Sequence, residues 1–320
     1  MTRRFTTFSL LFAAAALFSS AYAGDRSGIV SGNFLKIPVN ARIVGMGGSS
    51  VALVDNASCL AYNPSGMVYV RQDDQPVSQF QYGFAASYTQ WVADIKHSFF
   101  GGVLNIDGIG AIGLGATILT TDDMAVTTPA FPDGTGEFFK ASDYAFTLAL
   151  ARQISDKFSV GVSIKYIRSY LYNSDYGASC FAFDAGTIYE IPALRSRLGM
   201  SVSNLGSDMK FINEAYSLPT VLRFGVLTDI IVEPAHLLKG VFQISRPNDS
   251  NEQYNAGAEY TFAKNFTLRG GYKFGYDAEN WTGGFGLNFD LSGLHARLDY
   301  GYNNFKWLPG THSLSIEVGM

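Results

Sequence analysis

The sequence predicts an all-β fold: a transmembrane antiparallel β-barrel of about 14 strands with an N-terminal plug. Three observations lead there. The chain opens with an export signal, yet no later run is apolar enough for a spanning helix. After residue 78 it breaks into stretches of roughly ten residues in which apolar side chains alternate with small or polar ones. The connections between them are alternately short and long, as the two rims of a membrane barrel require.

The elements follow in order. In residues 1–23, Arg3 and Arg4 form a positive end, Phe8 to Phe18 an apolar run, and Ala21-Tyr22-Ala23 a small-x-small cleavage site. This is the pattern of a secretory signal peptide, with the mature chain beginning at Gly24. The apolar run is too short for a membrane anchor, which needs about 20 residues. The reading divides the chain into signal 1–23, plug (or hatch) and link 24–78, and barrel 79–320.

Composition agrees. Only 16% of residues are charged, against about a quarter in soluble domains. The 34 Gly, 25 Phe and 18 Tyr suit an exported barrel better than a cytosolic enzyme. The net charge of −4 and the lack of a Lys/Arg cluster give nucleic acid no electrostatic footprint. An exported chain rich in apolar residues but without spanning helices crosses a membrane only as a closed barrel. That places it in the outer membrane of a Gram-negative bacterium, with lipid as its first partner. A soluble two-sheet sandwich is the competing reading, since its strands alternate too.

Residues 33–70 lack the alternation. They carry a glycine knot (Gly45, Gly47, Gly48), a short helix starting near Asp55 or Asn56, and the turn Asn63-Pro64-Ser65-Gly66. A barrel too wide for its own side chains to fill needs such an insert. The knot lacks the Lys and the preceding strand of a phosphate loop. It is read as tight packing of the plug.

Strands are expected to begin near Gly83, His97, Gly110, Ser142, Lys157, Ala178, Ser196, Pro219, Leu237, Glu252, Asn265, Trp281, Leu294 and Thr311. With both barrel ends inside, Ser155-Asp156, Ala263-Lys264 and Leu291-Ser292-Gly293 are inner turns. Thr121 to Ala141, Asn173 to Gly177, Asn204 to Leu218, Arg246 to Asn251 and Asn303 to Gly310 are outer loops. The stretch Thr228 to His236 is an inner connection that is long and apolar, against the rule. Tyr166, Tyr170, Tyr172, Tyr272 and Tyr276 sit at strand ends, as an interfacial girdle would.

The polar faces carry Lys165, Asp184, Arg223, Lys239, Arg269, Lys273, Arg297 and Asp299, with Glu259 and Glu317, as charges of the lumen. They hold the plug and internal water, or line a path for a carboxylate or other anion. Cys59 in the plug and Cys180 on a small-residue face are either a disulfide or two free thiols; the sequence leaves both open. The four histidines are scattered without carboxylates or thiols at ligand spacing, so no metal site and no cofactor is expected. No nucleophile elbow is present, and no catalytic residue is assigned.

The run Ile37-Pro38-Val39, Gly45-Met46-Gly47-Gly48, Asp55-Asn56 and Asn63-Pro64-Ser65-Gly66 resembles the start of PorV/PorQ family proteins. The likeness extends through Tyr88-Thr89-Gln90-Trp91-Val92-Ala93-Asp94-Ile95. Those proteins look like relatives of the FadL-type outer-membrane transporters. The resemblance implies a part in type IX secretion, handling exported proteins at the outer membrane. Loops 121–141 and 204–218, with Met124, Val126, Phe131, Met209, Phe211 and Ile212, would then meet secretion-system proteins and cargo. The FadL side implies passive passage of small hydrophobic molecules instead. It would use an apolar pocket of Phe34, Leu35, Ile37, Ile43, Val44, Met46 and Met67.

Overall fold

Fourteen antiparallel strands close on themselves in the computed structural model, which describes residues 28–70, 80–172, 176–291 and 294–319. The expected signal peptide and the link 71–76 lie outside these residues. The strands are β1 Phe80–Gln90, β2 Lys96–Ile106, β3 Gly110–Thr120, β4 Ser142–Ser155, β5 Phe158–Tyr170, β6 Gly177–Ile191 and β7 Ser196–Gly206. There follow β8 Val221–Val232, β9 His236–Pro247, β10 Gln253–Phe262, β11 Phe266–Phe274, β12 Glu279–Leu291, β13 Leu294–Phe305 and β14 Thr311–Gly319. Each pairs with its neighbours in sequence, and β1 closes on β14 in the register Gly83↔Gly319 to Gln90↔His312. A closed ring excludes the two-sheet sandwich.

The faces explain why these residues make strands. Along β5, Val162 and Ile164 stand outside while Ser163, Lys165, Ile167 and Ser169 are buried inside. Phe84, Phe100, Leu114, Phe146, Phe183, Leu268, Phe285 and Leu314 continue the exposed outer face around the ring. So continuous an apolar surface belongs in lipid, and the outer membrane is where such a ring resides. No helix among the described residues is long and apolar enough to cross a membrane; the chain crosses with strands.

Short turns at 107–109, 156–157, 192–195, 233–235 and 263–265 mark the inner rim, and loops 91–95, 121–141, 207–220, 248–252, 275–278 and 306–310, with residues 171, 172 and 176, the outer one. The stretch 228–236 corrects the sequence reading. The strand β8 continues through Ile230-Ile231-Val232 and returns after Glu233, with a bulge between Asp229 and Ile231. The bulge shifts the alternation, so strand residues look like a long apolar loop.

The core lies inside the ring and is built largely by residues 39–70. Val39, Ile43, Met46, Leu53, Leu60 and Met67 are all essentially inaccessible. The segment enters at the outer rim, where Val30 bridges Ser217 and the Ser31 N–H donates to the Ser217 carbonyl at 3.0 Å. It ends with Val70 against Gly83, near the inner end of β1.

Local chemistry sets its path. Asn40, Asn56 and Asn63 each accept a hydrogen bond from the N–H two residues on, at 2.8, 2.8 and 3.2 Å. They cap helix α1 (Ala41–Gly45) and 3-10 turns over Ala57–Ala61 and Pro64–Tyr69. Gly47 and Gly48, at φ 71° and 78°, reverse the chain after α1, and the Gly48 N–H donates to the Ile43 carbonyl at 2.9 Å. The helix α1 was missed in the sequence. Asn40 as a cap with left-handed glycine past the end is its signal.

Candidate functional site

Two features form the site: the contact between segment 30–70 and the inner wall, and a cavity above it that faces the outer rim.

The contact starts from small side chains. Gly257 on β10 pairs across to Gly271 on β11, and the backbone of Met46-Gly47 rests on the pair. A Cβ on Gly257 would stand 2.5 Å from the Met46 carbonyl oxygen. Gly161 meets the backbone of Pro64-Ser65, Gly199 that of Val51-Ala52, and Gly301 the carbonyl of Ala41. The glycine-rich inner faces are therefore the seat of the segment. The sequence motif residues Gly45, Gly47, Gly48, Asn63 and Pro64 meet the wall there. Gly66 packs on Val54, and the Asn63 amide donates to the Val51 carbonyl at 2.9 Å.

Below the Gly257–Gly271 pair, Glu259 lies opposite Arg269. Arg42 of α1 grips Glu259 through Nε and Nη2, both at 2.7 Å, and reaches Asp55 at 2.5 Å through Nη1. Arg269 bonds Glu259 and Asp299, each at 2.7 Å, and Arg297 reaches Asp299 at 3.0 Å. The Glu317 Oε1 accepts from the amides of Asn40 and Asn56, both at 2.7 Å. Burial opposes ionisation of Asp55, yet the Arg42 guanidinium overrides it and holds the carboxyl well below its usual range. The stability this pair adds is whole above the ordinary carboxylate value, about pH 3.9, and is lost as pH falls through the depressed one.

Elsewhere Lys165 pairs with Asp184 at 2.7 Å and Lys273 with Glu279 at 2.6 Å, while Lys239 is half-buried. All eight lumen charges named from the sequence, with Glu259 and Glu317, are at least partly buried on the inward face. The partner that was missed is Arg42. A lone cation in the apolar run Ile37 to Val54 was its signal, because such a charge must be paired.

The two cysteines are free and buried in the structure. Cys59 packs in the apolar core of the segment; Cys180 packs in a second cluster with Phe34, Ile167, Met209 and Leu218. Burial pushes the Cys59 thiol well above its ordinary value. Purified barrel should migrate identically with and without reductant, and a thiol reagent should label Cys59 only after denaturation. A mass shift on reduction would contradict this.

The cavity measures about 1010 Å³. Its floor is Phe34, Ile37, Gly48, Ser50 and Tyr62 of the segment. Its walls are outer strand ends and loops, including Trp91, Leu119, Ser169, Phe211, Arg223, Ser245 and Tyr276. Of the seven residues expected to form an apolar pocket, only Phe34 and Ile37 line it. Ile43, Val44, Met46 and Met67 are packed into the core, and Leu35 lies against the Met209 cluster. The apolar pocket is thus corrected to a cavity of mixed lining, because those side chains are consumed in seating the segment.

Two loop readings change as well. Met209 is fully buried: its hairpin, Met209–Phe211 with Glu214–Tyr216, folds inward over β6. Phe131 and Ile212 remain exposed at 60% and 66%. Tyr276 leaves the girdle, because Gly275 at φ 76° turns it inward to the Asn255 amide at 3.1 Å.

A model of the family "Type IX secretion system protein PorV" matches residues 22–248. The chain belongs to the PorV family. Among solved structures, this PorV-family barrel is similar to the Pseudomonas putida toluene transporter TodX. Identity is 11%, covering 88% of this chain and 97% of that one, with a TM-score of 0.61. The Ralstonia pickettii toluene transporter TbuX gives 13%, 89%, 98% and 0.60, and a Pseudomonas aeruginosa FadL homologue 11%, 89%, 98% and 0.57. At these identities the likeness is one of fold. No curated protein matches by sequence. The chain is an outer-membrane barrel of the PorV type, associated with type IX secretion.

Proposed function

We propose that this barrel receives exported proteins at the cell surface, with segment 28–70 as a plug and the outward cavity and its loops as the receiving face. The supporting observation is the pairing of a mixed-polarity cavity at the outer rim with a lumen occupied beneath it by the segment. A filled lumen suits holding a protein at the mouth better than conducting one. Exposed Phe131 and Ile212 supply apolar contacts there. In this reading the barrel performs no chemical step and needs no cofactor.

Deletion should leave exported proteins that share a C-terminal domain stalled in the periplasm, and the tagged barrel should co-purify with them and with the large secretion barrel. Normal secretion in the deletion strain would overturn the proposal. The fold shared with toluene transporters, together with Phe34 and Ile37 at the cavity floor, favours a second reading, passive uptake of small hydrophobic molecules. Under that reading the deletion impairs uptake of such a solute and leaves secretion intact.

A further inference from the structure

Five cations are buried among the described residues: Arg42, Lys165, Arg223, Arg269 and Lys273. Four have a carboxylate at 2.7 Å or closer. Arg223 has none among the described residues. Its one hydrogen bond is from Nη1 to the Ser203 hydroxyl, at 3.0 Å. It is 8% exposed, third from the outer end of β8, and it lines the cavity. A buried guanidinium without a counter-ion is unfavourable unless something supplies the negative charge.

We propose that Arg223 is the receiving group of a carboxylate-binding site in the outward cavity. The chemistry is specific. A guanidinium presents parallel N–H donors that match the two oxygens of a carboxylate, and Ser203 holds one nitrogen while the others are free to point into the cavity. Ser169, Gln243 and Ser245 add hydroxyl and amide groups to the lining, and Phe34, Ile37 and Phe211 add apolar surface. The cavity therefore suits a monocarboxylate on a partly apolar, partly hydrogen-bonding body. Its volume accepts a ligand of several residues' size. The nearby cations Lys36 and Lys273 are neutralised by Asp249 and Glu279, each at 2.6 Å, so Arg223 is what selects the anion.

Such a carboxylate has two sources, a free organic acid or the C-terminal end of a peptide. Binding to the purified full-length barrel in detergent, measured by calorimetry, separates them. The probes are 4-phenylbutyrate against 4-phenylbutanol, and an N-acetylated Phe-Ala-Val peptide with a free against an amidated C-terminus. The expected result is at least tenfold tighter binding of one acid over its neutral counterpart, and the pair that discriminates names the source. Arg223→Gln should abolish that preference, and Arg223→Lys should reduce it. Both should keep the heat-modifiable gel migration of a folded barrel, because Arg223→Gln removes an unpaired buried charge and Arg223→Lys leaves in place a charge the fold already tolerates. Equal binding of acid and neutral probe by the wild type, no binding of any probe, or a preference that survives in Arg223→Gln would each overturn the site. If Arg223→Gln does not fold, the wild-type comparison and Arg223→Lys still decide. The site stands apart from the secretion reading: normal secretion in a deletion strain removes that reading and leaves the acid preference untouched.

Discussion

Replacing Glu259 with Ala should destabilise the barrel by about 3–5 kcal/mol, the cost of leaving buried charge unpaired. Glu259 accepts from two cations at once: Arg42, whose side chain is 2% exposed, and Arg269, which is wholly buried. Arg269 keeps Asp299 in the variant, but Arg42 keeps only half-buried Asp55. The penalty therefore falls chiefly on α1, and the N-terminal segment should loosen before the ring does. Arg42→Leu should cost less, because Glu259 then still has Arg269. The double variant should cost less than the sum of the two, with a coupling of roughly 0.5–3 kcal/mol. Urea unfolding in lipid vesicles, followed by tryptophan fluorescence, reads all three. A Glu259→Ala midpoint within about 0.5 kcal/mol of wild type would show that the network is solvated in the lumen and carries no such weight.

The sequence revealed the wall of this molecule far better than its contents. Gly110, Ser142, Ser196, Leu294 and Thr311 are both the expected and the observed first residues of their strands. A lipid-facing ring imposes a period of two on every strand, and nothing else in the chain competes with that signal. The signal failed where a bulge shifts the phase, as at Ile230-Ile231-Val232. It was silent inside the ring. The inward position of Arg269 follows from alternation, but its pairing to Glu259 depends on strand register, and that of Glu259 to Arg42 on where α1 docks. Likewise Met46 and Met67 are placed in a pocket by what the FadL resemblance implies for apolar residues of the plug, not by any pattern of their own. Whether such a side chain faces an opening or a glycine of the wall is set by tertiary packing, which leaves no periodic mark. The cavity residue Arg223 was legible as a lumen charge; its lack of a partner was not.

Gly271→Ala and Gly270→Ala, neighbours on one strand, should have opposite outcomes. Gly270 faces outward, and a Cβ there meets nothing within 4 Å. Its replacement should change stability by less than about 0.5 kcal/mol. At Gly271 a Cβ would stand 2.6 Å from the Cα of Gly47 and 2.7 Å from the carbonyl carbon of Met46. These are backbone atoms, so no rotamer change relieves the clash, and the cost should be about 1–3 kcal/mol. The strain cannot spread into the wall, because Gly257 and Gly271 are held in register by Asn255↔Lys273 on one side and Glu259↔Arg269 on the other. It must lift the segment. The Asn255 amide should then lose its bond to the Gly47 carbonyl, now 2.6 Å, and Arg42 should be drawn off Glu259. Limited proteolysis of the folded barrel should therefore cut within 28–70 in Gly271→Ala and spare it in Gly270→Ala, while both keep heat-modifiable migration. Equal resistance in the two variants would mean that the segment does not depend on this glycine seat.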